Sequence, residues 1–146
     1  MPEFKYARGR IADSIRFIST EMKEFQGDYA RKTRKDYQID RKLQKLMDRT
    51  VENILTALIE ICGTYLTEQS IAAENYAEAL RGCAQALGFK QSEQEKLASL
   101  AVLRNRLANR YLNFRWQAIE DFSKKRSLVT KLLSLILKEL EGQGKP

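Results

Sequence analysis

Apolar side chains recur along this chain at alternating steps of three and four residues, the spacing of helices that pack on other helices. Ile11, Ile15, Ile18, Met22 and Phe25 form the first stripe, which Gly27 is expected to end. A second helix is expected to begin at Asp36 or Asp40, either of which suits an N-cap. It carries Ile39, Leu43, Leu46, Met47, Ile54, Leu58, Ile61, Cys62 and Tyr65 on one side. At about 1.5 Å per residue this is a rod of roughly 40 Å. A short alanine-rich helix over 72–87 follows, closed by Gly88 as its C-cap.

Ser92 and Glu95 have the spacing of a capping box and place the start of a fourth helix there. Its apolar face is Leu97, Leu100, Ala101, Leu103, Leu107 and Ala108. The last helix is expected from Arg115 or Trp116 to Leu140, with Gly142 just past its end. Ile119, Phe122, Val129, Leu132, Leu133, Ile136 and Leu140 make one stripe on it, and Leu128, Leu135 and Leu137 a second, partial one. A helix apolar on two sides needs two partners: either it is the buried centre of the bundle, or its second side is a dimer surface. No β-branched strand segments alternate with these helices and no glycine-rich phosphate loop is present, which disfavours a nucleotide-binding α/β fold. The expectation is an all-α, five-helix, up-and-down-like bundle spanning residues 1–146 as one domain.

Composition agrees with that reading. The 146 residues are the size of one ordinary domain, and 43% apolar content suffices for a core. No apolar run reaches the length of a membrane helix, and the N-terminal residues lack the apolar stretch of a signal peptide, so a cytoplasmic protein is expected. Cys62 and Cys83 lie in apolar helical contexts without Cys-x-x-Cys spacing, and the chain has no histidine; buried small hydrophobes are expected rather than a disulfide or a metal site.

The formal charge of +7 favours polyanionic partners. It is clustered. Arg31, Lys32, Arg34 and Lys35 fall in one five-residue run, and Arg104, Arg106, Arg110 and Arg115 fall within twelve residues of a window, 97–117, that contains no Asp or Glu. Such a window reads either as a phosphate-contacting groove or as an interface for an acidic protein.

Within it, Leu103-Arg104-Asn105-Arg106-Leu107-Ala108-Asn109-Arg110-Tyr111 sets a polar cluster inside an amphipathic helix. The segment resembles the signature of the HEPN superfamily in its HepT-like toxin branch. There an arginine, usually followed by asparagine, stands five positions before a histidine, and a tyrosine follows two further on. Arg104, Asn105 and Tyr111 are in register, and Asn109 occupies the histidine position. The plan of the chain matches too: the motif comes late in the fourth helix, then a break, then a long final helix.

The resemblance implies a metal-independent endoribonuclease of the toxin–antitoxin type (type VII-like), with Arg104, Asn105 and the residue at 109 catalytic and no cofactor. It implies RNA, tRNA above all, as substrate, with Arg106, Arg110 and Arg115 as RNA-binding candidates. It implies a homodimer whose motif helices face each other. It also implies an MNT-type nucleotidyltransferase antitoxin that uses ATP to place AMP on the motif tyrosine, here Tyr111, where an added anion would fill and neutralise a cationic cleft.

RNA cleavage without a metal requires a proton acceptor for the ribose 2′-hydroxyl, a donor to the leaving oxygen and positive charge for the transition state. Arginine meets the last need with a planar fork of donors. Histidine meets the first two because its ordinary pKa of about 6.5 lies near working pH. An asparagine amide does neither, so the chain is expected to be catalytically impaired as it stands. Asn109 reads either as natural loss of activity with a binding role kept, or as a replacement of histidine that disarms a toxic ribonuclease. The competing class is a non-catalytic helical adaptor associated with a minimal nucleotidyltransferase.

Overall fold

A computed structural model of the chain describes residues 2–109 and 114–143, with side chains for residues 10–109 and 114–142. Among these every regular element is helical. The helices are α1 (Pro2–Glu24), which runs into a π-helical turn (Phe25–Tyr29), α2 (Arg34–Ile39), α3 (Arg41–Glu68), α4 (Tyr76–Ala86), α5 (Gln91–Ala98), α6 (Leu100–Ala108), α7 (Arg115–Lys124) and α8 (Arg126–Gln143). None of the described helices is long and apolar enough to cross a membrane.

Each of the five expected helices differs in some detail from the observed ones. Gly27 does not end the first helix. The chain widens into a π turn around it, closed by the Ala30 amide donating to the Phe25 carbonyl at 2.8 Å, and both Phe25 and Tyr29 stay buried. Of the two expected starts of the second helix, Asp40 is the one observed, as the N-cap of α3, and Asp36 falls instead inside a separate short helix, α2. Thr33 caps α2, its hydroxyl accepting from the Asp36 amide (3.2 Å) while the Asp36 carboxylate accepts from the Thr33 amide (2.9 Å); Asp40 then leaves the helical region and caps α3 through the Leu43 amide (3.0 Å). Ile39, expected on the apolar side, is 75% exposed because it sits at that break.

The third helix starts at Tyr76, capped by Asn75 rather than at 72, and closes as expected. Gly88 takes φ +85°, and the Phe89 amide reaches back to the Ala84 carbonyl at 3.0 Å, a turn that a Cβ would strain. Ser92 and Glu95 form no capping box. Glu93 accepts from the Lys90 amide (3.1 Å), and Glu95 is turned instead to Arg81 on α4, at 2.7 Å and 3.0 Å. The fourth and last helices are each divided by one residue, Ser99 and Lys125.

The core nevertheless follows the apolar stripes. α3 is its axis, packed by α1 on one side and by α4, α6 and α7 on others, with Ile54, Leu55, Leu58, Leu80, Leu100, Leu107 and Phe122 buried around it. Phe25 and Phe122 meet edge to face at 5.3 Å and tie the π turn to α7. Cys62 on α3 and Cys83 on α4 are buried free thiols, and contact with Cys83 together with burial pushes the Cys62 thiol well up from its ordinary pKa. On the second stripe of α8, Leu128 and Leu135 are half-buried against the core and only Leu137 is exposed, so most of this side of the helix is covered within the chain.

Candidate functional site

α6 ends on the polar cluster. Its last helical residue is Ala108, and Asn109 turns away with φ −95° and ψ 78°. Both the backbone amide of Asn109 (3.2 Å) and its side-chain Nδ2 (3.0 Å) donate to the Asn105 carbonyl. The end of a helix leaves carbonyls without intrahelical partners, and here a side-chain amide adds to the satisfaction of one of them. Asn109 is thereby held at a fixed position while remaining exposed to solvent.

Arg104, one turn earlier, faces inward. Its Nε donates to the Thr56 hydroxyl of α3 at 3.3 Å, its Nη1 to Asn105 Oδ1 at 3.4 Å, and its guanidinium lies 5.7 Å from the ring centroid of Tyr76 at the start of α4. Three helices therefore fix the direction of the fork, which opens into a groove of about 580 Å³ between α1 and α3. The groove also carries the carboxylates of Asp13, Glu52 and Glu60, with Phe17 at its edge. Its charge is mixed, not the uniformly cationic surface that the arginine count suggests.

Of the other candidates, Asn105 and Arg106 are exposed. At about 100° per residue Arg106 points to the opposite side of α6 from Arg104, and closer to Asn109. Arg110 and Tyr111 lie outside the described residues. Because α6 stops at Ala108, the continuous helical face expected to join Arg104 to Tyr111 is not formed by α6 itself.

Arg115 opens α7 and is committed to a partner. Its Nη1 lies 2.5 Å from Oδ2 of Asp48, and the other carboxylate oxygen, Oδ1, accepts from the Tyr37 hydroxyl at 2.7 Å. Asp48 is fully buried. Burial, then the hydrogen bond to Asp48, then its charge raise the Tyr37 phenol above its ordinary pKa, with the Arg115 charge acting against them. This cluster joins α2, α3 and α7, and it sets Trp116 beside Tyr37 with the rings tilted by 47° and their centroids 5.4 Å apart. A sequence signal for it exists: Asp48, Val51, Leu55, Ile59 and Cys62 run at helical spacing, and all five are buried, so Asp48 is an acid standing in an apolar stripe. Such a residue requires a partner.

The sequence pattern of the family described as ribonuclease HepT-like matches residues 18–134, from the last third of α1 to the middle of α8. The chain belongs to the HepT-like ribonuclease family. The match takes in α2 to α7 entire, the end of α1, the first half of α8 and the whole polar cluster, and it bears out the all-helical HEPN fold expected from the sequence. It also places the chain among ribonucleases as a kind of protein. No similar protein was found among curated proteins or among solved structures. Within this HepT-like chain the position five residues after Arg104 is an asparagine, and no histidine occurs elsewhere to take its place.

Proposed function

We propose that the chain is the ribonuclease-toxin scaffold of a HEPN/MNT pair, acting on RNA without a metal through Arg104, Asn105 and the residue at 109, and impaired because that residue is Asn109. The observation that carries the proposal is the Asn105–Asn109 turn beside a fork held by Thr56 and Tyr76. In the reaction, the ribose 2′-oxygen attacks the adjacent phosphorus as its proton leaves to a base. The bond from phosphorus to the 5′-oxygen breaks, and the leaving oxygen takes up a proton.

Arg104 serves the phosphate. Two of its donors are directed at Thr56 and Asn105, and the rest of the fork matches phosphate oxygens whose charge grows in the transition state. A histidine at 109 would set Nδ1 where Asn109 sets Nδ2, hold it against the Asn105 carbonyl, and leave Nε2 to exchange protons. Asn109 keeps the anchoring half of that arrangement and lacks the titrating half. Loss of such a group costs on the order of 10² to 10⁴ in rate. The proposed substrate is tRNA, the proposed assembly a homodimer, and the proposed control AMP transfer to Tyr111 by a nucleotidyltransferase.

A second reading is favoured by the absence of histidine from the chain: a binding subunit for such a nucleotidyltransferase with no chemistry of its own. Asn109→His incubated with bulk tRNA in the presence of a chelator separates the two. Cleavage supports the ribonuclease, and none supports the adaptor.

A further inference from the structure

The cleft between the start of α7 and α2 combines features that the Arg104 groove does not. It is an open hollow of about 290 Å³ whose lining includes Arg34, Tyr37, Phe114, Arg115 and Trp116 and no carboxylate among the described residues. Arg34 belongs to the basic run, where Arg31, Lys32, Arg34 and Lys35 are all exposed. The acid nearest in sequence, Asp36, is turned back onto the Thr33 amide at 2.9 Å.

Phe114 is the telling residue. It caps α7 in the left-handed region, φ +75° and ψ 16°, where a bulky L-residue is disfavoured and glycine or asparagine is the usual occupant. It is also 63% exposed, so the strained backbone is not offset by burial of the ring. Among the described residues no packing contact accounts for a phenylalanine there. A flat aromatic face held open to solvent, beside a second ring and a cationic run, is the arrangement that binds unpaired nucleotides: bases stack on the rings, and the backbone follows the charge.

The chain places this cleft close to the motif. Phe114 follows Asn109 by five residues, so their Cα atoms lie within about 18 Å of each other whatever path residues 110–113 take. That is the reach of a few nucleotides.

We propose that the α2–α7 cleft is a binding subsite for a single-stranded segment of the RNA, with one base stacked on Phe114 against Trp116 and the adjoining phosphates on Arg34 and the basic run. Arg115 is a positioning residue here, because its bond to Asp48 sets the angle of α7. The inference rests on the ribonuclease reading of the neighbouring motif for its substrate class.

Trp116 is the single tryptophan of the chain and lines the cleft, so its fluorescence reports occupancy directly. The unmodified chain would be titrated with a ten-nucleotide oligouridylate, with an abasic ribose-phosphate oligomer of the same length, and with uridine monophosphate. The expected result is saturable quenching by oligouridylate, weakened on the order of tenfold in Phe114→Gly, with much weaker binding of the abasic oligomer and of the mononucleotide. Phe114→Gly relieves the left-handed backbone, so its melting temperature should equal or exceed that of the parent. Arg34→Gln should lower the salt dependence of binding with the quenching amplitude kept. Equal affinity for the abasic oligomer, or no effect of Phe114→Gly, would overturn the subsite; mononucleotide binding as tight as the oligomer's would overturn its assignment to an RNA strand. The readout is binding, so it is independent of whether Asn109→His cleaves. If Asn109→His does cleave, adding Phe114→Gly should raise KM several-fold with kcat retained, and an unchanged KM would remove the subsite while leaving the ribonuclease in place.

Discussion

Arg115 and Asp48 are 67 residues apart in the chain and joined by a 2.5 Å contact between guanidinium and carboxylate, with the carboxylate side chain 1% exposed and the guanidinium side chain 23% exposed. A buried carboxylate is tolerable only when charge and hydrogen bonds replace its water. This pair therefore fixes where α7 starts, and with it the cleft beside the motif.

Removing the arginine leaves the acid in place. Arg115→Ala should destabilise the fold by about 2–4 kcal/mol, toward the lower end because the guanidinium is partly wetted. Urea unfolding would measure it. A loss below about 0.5 kcal/mol would show that the pair is an ordinary surface contact.

Tyr37 gives the same cluster a pH signature. Its phenol is raised in the folded state above the ordinary value of 10.0, so the folded chain holds that proton where the unfolded chain has released it. The contribution is full below pH 10 and is lost as pH rises beyond it. Stability should fall above pH 10, and less steeply in Tyr37→Phe, which should cost about 1–3 kcal/mol at neutral pH through the lost bond to Asp48. Denaturant midpoints at pH 8 and pH 10.5 compare the two. Parallel pH dependence in parent and variant would remove Tyr37 as the cause.

How much of this was legible in the sequence depends on the range of the interaction. Gly88 was readable as a helix end because its turn is closed within five residues. Asp40 was readable as a cap for the same local reason, and it does cap α3. The division of the fourth and last helices at Ser99 and Lys125 was not, since the apolar stripes run through both positions at unbroken spacing. The motif residues were readable as types at fixed spacing. What orients them was not: Arg104 is held by Thr56, 48 residues away, and no local pattern announces that pairing. Arg115 counted as one more cation in a basic window because Asp48, its partner, lies on another helix.

Of the second stripe of α8 only Leu137 is left exposed, and self-association through it is a proposal to be tested by mass. Light scattering at micromolar concentration should give twice the 16.9 kDa chain mass, as befits the two-fold dimers that dominate homo-oligomers. Charged substitution of Leu137, exposed in the single chain, should shift that mass toward the monomer if α8 is the interface; a parent that is monomeric throughout would remove the homodimer from the proposal.

Control through Tyr111 is tested by mass. Incubation with the cognate nucleotidyltransferase, ATP and magnesium should add AMP-sized increments to the parent and none to Tyr111→Phe. Since the proposed acceptor is the phenol, Asn109 should not prevent the reaction. Additions that persist in Tyr111→Phe would place the modification elsewhere.

The central claim is that Asn109 stands where a proton-transferring group completes a ribonuclease around Arg104. Parent, Asn109→His, and Asn109→His with Arg104→Ala would each be incubated with bulk tRNA and chelator and the products resolved on a gel. Cleavage is expected from Asn109→His alone, at a rate on the order of 10² or more above the other two. Background cleavage by all three, with the variants folded, would contradict it.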